Sequence, residues 1–160
     1  MAIYVEYEGI KGNVTAEGYK DHIAVDSTSF GVGRGISMEV GNLSNRESTK
    51  PAISEVTLTK FADTSTVSLL KEALTGSKGK KVKIKYARTG ADKVTEYMSY
   101  ELEDALISSY SANATSEGEP SEALTLSFSK VLVTYNDSDS TMGGGSPNRT
   151  GYDLKAGKPF

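Results

Sequence analysis

Apolar and polar residues alternate along most of this chain, and this alternation constrains the possible folds more than any other feature. In the stretch IYVEYEG (3–9), the side chains of Ile3, Val5 and Tyr7 share one face of an extended chain. Successive side chains of a β-strand point to opposite faces of the sheet, so a period of two predicts a half-buried strand. The patterns at 22–30, which contains Ile23 and Val25, and at 54–61 predict further strands.

The middle of the chain predicts a β-hairpin. The stretches KKVKIKYAR (80–88) and VTEYMSYELED (94–104) flank the segment TGADK (89–93). A connection of five residues that includes a glycine suits a hairpin. We expect a register that pairs Val82 with Tyr100, which places the lysines of one strand beside the glutamates of the other.

Two more strands are predicted after the hairpin, at 105–113 and at 122–135. The apolar positions of the second strand change parity at Lys130, which indicates a bulge or bend there.

One helix is predicted over 63–76. Ser65 is a candidate N-cap and Gly76 is a candidate C-terminal stop. A helix of about ten residues is too short to be stable alone in water. We therefore expect its apolar residues, spaced at i, i+3 and i+7, to pack on the sheet: Val67, Leu70 and Leu74.

The chain is predicted to be one domain, 1–160, because its length of 160 residues suits a single core. A polar loop is expected at 39–52, a flexible linker at 136–151, and a short terminal strand at 152–154. Many strands with one short helix predict an all-β fold of two sheets, arranged as a barrel or sandwich.

The composition argues against several functional classes. The net charge is −3, whereas nucleic-acid-binding domains are usually strongly basic. No apolar run approaches the ~20 residues of a membrane span, so membrane insertion is not expected. The absence of cysteine excludes disulfides and thiolate metal sites. The start MAIYVEYEGIKG does not resemble a secretory signal peptide, so any export is expected to use another route.

The stretch SFGVGRGIS (29–37) carries three glycines, Gly31, Gly33 and Gly35. A dinucleotide-binding loop needs the pattern G-x-G-x-x-G between a strand and a helix, and here the third glycine comes one residue early. The residues that follow do not start a helix, which a phosphate site requires. We instead expect a strand in which another backbone approaches the glycines closely.

No catalytic group stands out, and we expect neither an enzyme nor a cofactor. His22 is the only histidine, and no nucleophile motif accompanies it. Glu101 and Glu103 share a strand face, as paired carboxylates of a glycosidase might. Cross-strand pairing with the lysines of 80–88 explains them without catalysis.

The residues resemble the haemolysin-coregulated protein (Hcp) family, the tube proteins of bacterial type VI secretion systems. The resemblance covers nearly the whole chain. It is most specific in GIKGNVTAEGYKDHI (9–23) and SFGVGRGIS (29–37), and it continues in the blocks at 54–76, 97–111 and 151–158.

The resemblance implies a β-barrel of two sheets, flanked by one helix, that assembles as a homohexameric ring. Rings would stack into a tube inside a contractile sheath, with a spike protein at the tip and small secreted effectors in the channel. Such a protein would be in the cytoplasm during assembly and would then be secreted without a signal peptide. It would be structural and not an enzyme.

Under this reading we predict two sets of functional residues. Ser27 and Ser29 share a strand face and are predicted to look into the channel and contact effectors. The polar loop is predicted to contact the next subunit or ring, through Asn42, Leu43, Ser44, Asn45, Arg46 and Glu47. The alternatives are a small monomeric β-barrel that binds a ligand in its mouth, and a hydrolase with dispersed carboxylates.

Overall fold

A computed structural model of the chain describes residues 1–36, 40–41, 50–90, 92–136 and 147–160. The described residues form twelve strands and one helix. The elements in chain order are β1 (Ala2–Tyr7), β2 (Ile23–Val25), β3 (Ser27–Ser29), β4 (Val32–Gly33), β5 (Ala52–Ile53), β6 (Val56–Phe61), α1 (Thr66–Thr75), β7 (Lys80–Thr89), β8 (Val94–Asn113), β9 (Ser121–Ser127), β10 (Lys130–Tyr135), β11 (Asn148–Asp153) and β12 (Lys158–Pro159).

The strands form two antiparallel sheets that pack as a sandwich, so the all-β prediction is confirmed. Sheet A has the order β12-β11-β10-β8-β7-β1-β2, and sheet B has the order β3-β6-β9-β8. β4 and β5 form a separate pair. The polar loop prediction at 42–47 lies outside the described residues.

Three strand regions pass from one sheet to the other. β8 has twenty residues, and its first part pairs in sheet A while Leu106–Asn113 pairs in sheet B. The predicted strand at 22–30 is divided at Asp26 into β2 of sheet A and β3 of sheet B. The predicted strand at 122–135 is likewise interrupted, by Phe128 and Ser129.

The register predicted for the hairpin is wrong by two residues. Val82 pairs with Leu102, and Tyr100 pairs with Ile84. A register shift between Tyr86 and Ala87 contributes to the difference, because the two strands pair in one register next to the turn and in another register further from it. Since side chains alternate with a period of two, an error of two residues leaves the side chains of 82–86 on their predicted faces, whereas the register shifts at both ends of β7 change the pairing there by another amount.

The core lies between the sheets and follows the predicted alternation. The large aliphatic side chains buried there come from seven strands and the helix: Val5, Ile23, Val25, Val56, Leu58, Leu69, Val82, Ile84, Leu102, Leu124, Leu126 and Val131. The terminal strand predicted at 152–154 is present but begins at Asn148, within the segment predicted to be a linker.

Helix α1 occupies its predicted position but turns another face to the core. Leu69 is 1% exposed, whereas Val67 is 76% exposed and Leu74 is 75% exposed. The prediction that Val67, Leu70 and Leu74 pack on the sheet is therefore wrong. We call these three residues the helix stripe, and its exposure leaves an apolar surface on the outside of the molecule.

Candidate functional site

A buried polar cluster fixes the rotation of α1. Lys60 of β6 donates to Glu122 of β9, and its Nζ lies 3.1 Å from Asp63 Oδ1. Thr66, the first residue of α1, donates to Glu122 Oε2 at 3.2 Å. These bonds hold one side of the first helical turn against the inner face of sheet B, which explains why the helix stripe faces outwards.

Ser65 occupies the predicted N-cap position of the helix, but Asp63 and not Ser65 supplies the side-chain acceptor there. The Ser65 side chain makes no capping bond, whereas its backbone N–H donates to Asp63 Oδ1 at 2.8 Å. Tyr110 of β8 donates to the other oxygen of Glu122. Burial and the neighbouring Glu122 carboxylate raise the pKa of Tyr110 to about 12.

The outer face of sheet B carries mostly small polar side chains, with the exposed ring of Phe61 in its last row, and we call it the hydroxyl face. Strand register places its residues in three rows across the sheet. The first row is Ser29, Thr57, Thr125 and Ser109; the second is Ser27, Thr59, Ala123 and Ser111; the third is Phe61, Ser121 and Asn113. Eight of these eleven residues are Ser or Thr, and none carries a charge.

The predicted pair Ser27 and Ser29 therefore belongs to a larger surface. Both side chains are exposed, and the Ser27 hydroxyl is hydrogen-bonded to Thr59. Thr28 between them points the other way and bonds to the Tyr86 hydroxyl. Sequence reasoning missed the rest of the face, although the alternating polar residues of 54–61 and 121–127 are visible in the sequence.

The hydroxyl groups also bond to one another along the edge formed by β8. Thr125 Oγ1 lies 2.6 Å from the hydroxyl oxygens of both Ser108 and Ser109. Acidic residues stand at the ends of the face, with Asp26 directly before β3 and Glu55 directly before β6. Ser108 donates to the Glu55 carboxylate at 2.6 Å.

The outer face of sheet A is charged instead. The Nζ of Lys85 lies 3.1 Å from Glu6 Oε2, and Lys83 Nζ lies 3.7 Å from Glu101 Oε1. The Lys85 ammonium lowers the pKa of the Glu6 carboxyl, chiefly through their hydrogen bond. The Lys83–Glu101 contact confirms the predicted cross-strand pairing for Glu101, whereas Glu103 pairs with Lys130 of β10 and with no lysine of β7.

The alternation of charge continues across sheet A in one row: Glu103 pairs with Lys130, Lys130 with Asp153, and Asp153 with Lys158. A cavity of about 420 Å³ lies on this face, lined by both acidic and basic residues. We call this surface the charged face. His22 also lies at sheet A, where its Nε2 accepts a hydrogen bond from Lys85 at 3.0 Å.

At Gly31 and Gly33, the described residues make no close backbone approach of the kind predicted for the glycine stretch. A Cβ added at Gly31 would lie 3.6 Å from Ser54 Oγ, which is ordinary contact, and one at Gly33 would meet no described atom within 4 Å. A contact between copies at Gly31, Gly33 and Gly35 stays a prediction. One close approach that sequence reasoning missed is at Gly12, where a Cβ would lie 2.7 Å from Ile23 Cα.

The described residues lack two features, a metal-binding cluster and a membrane-spanning helix. No group of three or more His, Asp or Glu side chains in these residues is placed to hold a metal ion. None of the helical segments in the same part of the chain has the length and hydropathy that crossing a membrane requires.

Solved structures share this fold. One described as that of a type six secretion system protein has a TM-score of 0.91 and 22% identity, with 99% of each chain covered. Hcp1 from Salmonella typhimurium has a TM-score of 0.76 and 22% identity, with 99% of this chain and 98% of that chain covered. Likenesses at this level of identity establish the architecture.

Sequence comparison establishes the family. Protein hcp1 of Pseudomonas aeruginosa is 28% identical over 109 residues, which are 66% of this chain and 67% of that protein. The family model described as "Type VI secretion system effector, Hcp" matches residues 4–135. The chain belongs to the Hcp family of type VI secretion system proteins.

Proposed function

We propose that this chain is the tube subunit of a type VI secretion system, and that six copies form a ring whose channel is lined by the hydroxyl face. The family is one of structural secretion proteins and not of enzymes. The difference between the two outer faces carries the proposal. One sheet presents small neutral side chains such as Thr57, and the other presents paired charges such as Lys83 and Glu101.

The edges of sheet B support a ring. Within the described residues, no further strand pairs with the outer side of β3 or with Leu106–Asn113 of β8. β3 and β8 are the first and last of four antiparallel strands, so they run in opposite directions. The β3 of one copy can therefore lie antiparallel to the β8 of the next, which continues the same sheet. Two different complementary edges are what a heterologous ring requires.

Exposed apolar side chains support contacts between copies. The helix stripe is one such surface, and Val32 and Ile36 beside the β4–β5 pair are another, at 58% and 51% exposure. Contiguous apolar surface on a protein commonly marks an interaction site. We propose that assembly covers both surfaces.

The remaining partners follow from this role. We propose that rings stack into a tube inside a contractile sheath, that a spike protein sits at the tip, and that small effectors travel in the channel. The tube would assemble in the bacterial cytoplasm and would then be secreted without a signal peptide.

The loop containing Asn42–Glu47 is proposed to contact the next subunit or ring, so deleting residues 42–50 should abolish tube formation and secretion.

Electron microscopy of the purified protein tests the ring, and a matched pair of variants tests the channel. Ser29→Arg should leave six-fold rings intact and block cargo retention, because a long charged side chain would enter the channel. Ser29→Thr, which keeps the hydroxyl, should retain cargo. Absence of rings from the unmodified protein would refute the proposal, and unchanged cargo retention in Ser29→Arg would refute the placement of the hydroxyl face.

A further inference from the structure

We infer that the hydroxyl face holds cargo through uncharged hydrogen bonds, so that it selects protein surfaces that are polar and neutral where they touch the wall. The inference rests on the proposed function and names the chemistry of its cargo. The partner is a folded protein whose contacting surface presents Ser, Thr, Asn or Gln side chains or free backbone groups.

The side chains of the face fit this partner. A hydroxyl group both donates and accepts, and it rotates to suit the group opposite. The row that contains Ser29, Thr57, Thr125 and Ser109 spans all four strands, so a cargo meets such groups across the full width of sheet B. Ser and Thr side chains are short and have few rotamers, so ordering them on contact costs less entropy than ordering Lys or Arg.

The absence of charge within the three rows disfavours a cargo with a charged surface. A charged cargo group pressed against the wall would lose water, and no side chain of the eleven offers it an ionic partner. Asp26 and Glu55 lie at the ends of the face, and the Glu55 carboxylate reaches the edge of the first row through Ser108, which is hydrogen-bonded to Thr125. Fixed charge is concentrated instead on sheet A, where Lys85 and Lys83 pair with acidic residues.

The ring and the cargo preference can be tested separately. Ring formation by the purified protein is first measured by native mass spectrometry. If the protein forms no rings, the proposed function is refuted and not this inference. A small folded reporter protein is then prepared in three surface versions, rich in Ser/Asn/Gln, in Lys or in Glu. The fraction that is bound to rings is measured at about 0.05 M and about 0.5 M NaCl, between which most long-range charge interaction is screened.

We expect the neutral reporter to bind best, with an affinity that changes by less than about twofold between the two salt concentrations. Stronger binding of the Lys-rich or the Glu-rich reporter, lost in high salt, would overturn the inference. So would rings that bind none of the three reporters.

A charge placed within the face provides the positive control. Thr57→Lys lies at the centre of the first row, and in that variant the Glu-rich reporter should gain at least about fivefold in affinity at low salt and lose the gain at high salt. Thr57→Ser should behave as the unmodified protein. If the lysine variant fails to form rings, Ser111→Lys on the second row serves the same test. Rings of either lysine variant without this gain would show that cargo does not touch the face.

Discussion

At the scale of single residues, Lys60 has the most consequential position in the molecule. Its side chain is 1% exposed and lies between the carboxylates of Glu122 and Asp63. A buried charge is tolerated only when it is paired and hydrogen-bonded. Here the pairing joins β6, β9 and the start of α1, so one side chain fixes how the helix sits on the sheet.

Removing the Lys60 charge should destabilise the protein strongly. Lys60→Met leaves two carboxylates near one another without a cation, and we expect the free energy of unfolding to fall by about 3–5 kcal/mol in urea titration. The double variant Lys60→Met with Glu122→Gln removes the more deeply buried of the two unpaired carboxylate charges and should recover part of the loss. A loss below about 1 kcal/mol in the single variant would contradict a buried ion pair.

Tyr7 should behave in the opposite way, because its hydroxyl is buried and has no hydrogen-bond partner among the described residues. An unpaired buried polar group costs free energy, so Tyr7→Phe should raise the free energy of unfolding by about 1 kcal/mol. Thermal unfolding of the two proteins near neutral pH measures the difference. A lower melting temperature for Tyr7→Phe would indicate that the hydroxyl is paired.

The buried Tyr7 hydroxyl should also make the protein less stable in alkaline solution. Burial raises the pKa of Tyr7 to about 12, above its ordinary value of about 10. The folded state therefore holds this proton more tightly than the unfolded state. The contribution of the protonated Tyr7 hydroxyl to the free energy of unfolding is fully present below about pH 10 and is lost as the pH rises towards about 12. In Tyr7→Phe, the free energy of unfolding should fall less steeply with pH over this range.

At the scale of elements, the sequence predicted which face of β1 and β2 is buried, because alternation depends only on neighbouring residues. The burial of Val5, Ile23 and Val25 follows that pattern. It could not predict the hairpin register, which a shift between Tyr86 and Ala87 alters. It also failed for the helix, since the rotation of α1 depends on Lys60 and Glu122, which are 62 positions apart.

The candidate site was likewise predictable from the sequence only in part. The shared direction of Ser27 and Ser29 could be predicted from a single strand. The rows that join them to Thr57, Thr59 and Thr125 depend on pairing between distant strands, which the sequence does not reveal.

Alanine substitutions on the two sides of α1 test its rotation. Leu69→Ala should lower the free energy of unfolding by about 2–5 kcal/mol, because it leaves a cavity in the core. Leu74→Ala, at the exposed helix stripe, should change it by no more than about 0.5 kcal/mol in a non-assembled sample. Equal losses for the two variants would show that the helix packs through its stripe.

At the scale of the whole molecule, the account depends on the difference between its faces. The sandwich presents a hydroxyl face on sheet B, a charged face on sheet A, and apolar surfaces at the helix stripe and near Val32 and Ile36. A monomer in water gains nothing from an uncovered helix stripe or from open edges at β3 and β8. The proposed ring would cover both and would place the two outer faces in different surroundings.

The native mass of the purified full chain tests this account most directly. The protomer has a mass of 17.1 kDa. We predict a dominant species of six protomers at micromolar concentration, which dissociates in denaturant to the single-chain mass. A protein that remains monomeric under these conditions would contradict the account and would favour a small ligand-binding β-sandwich instead.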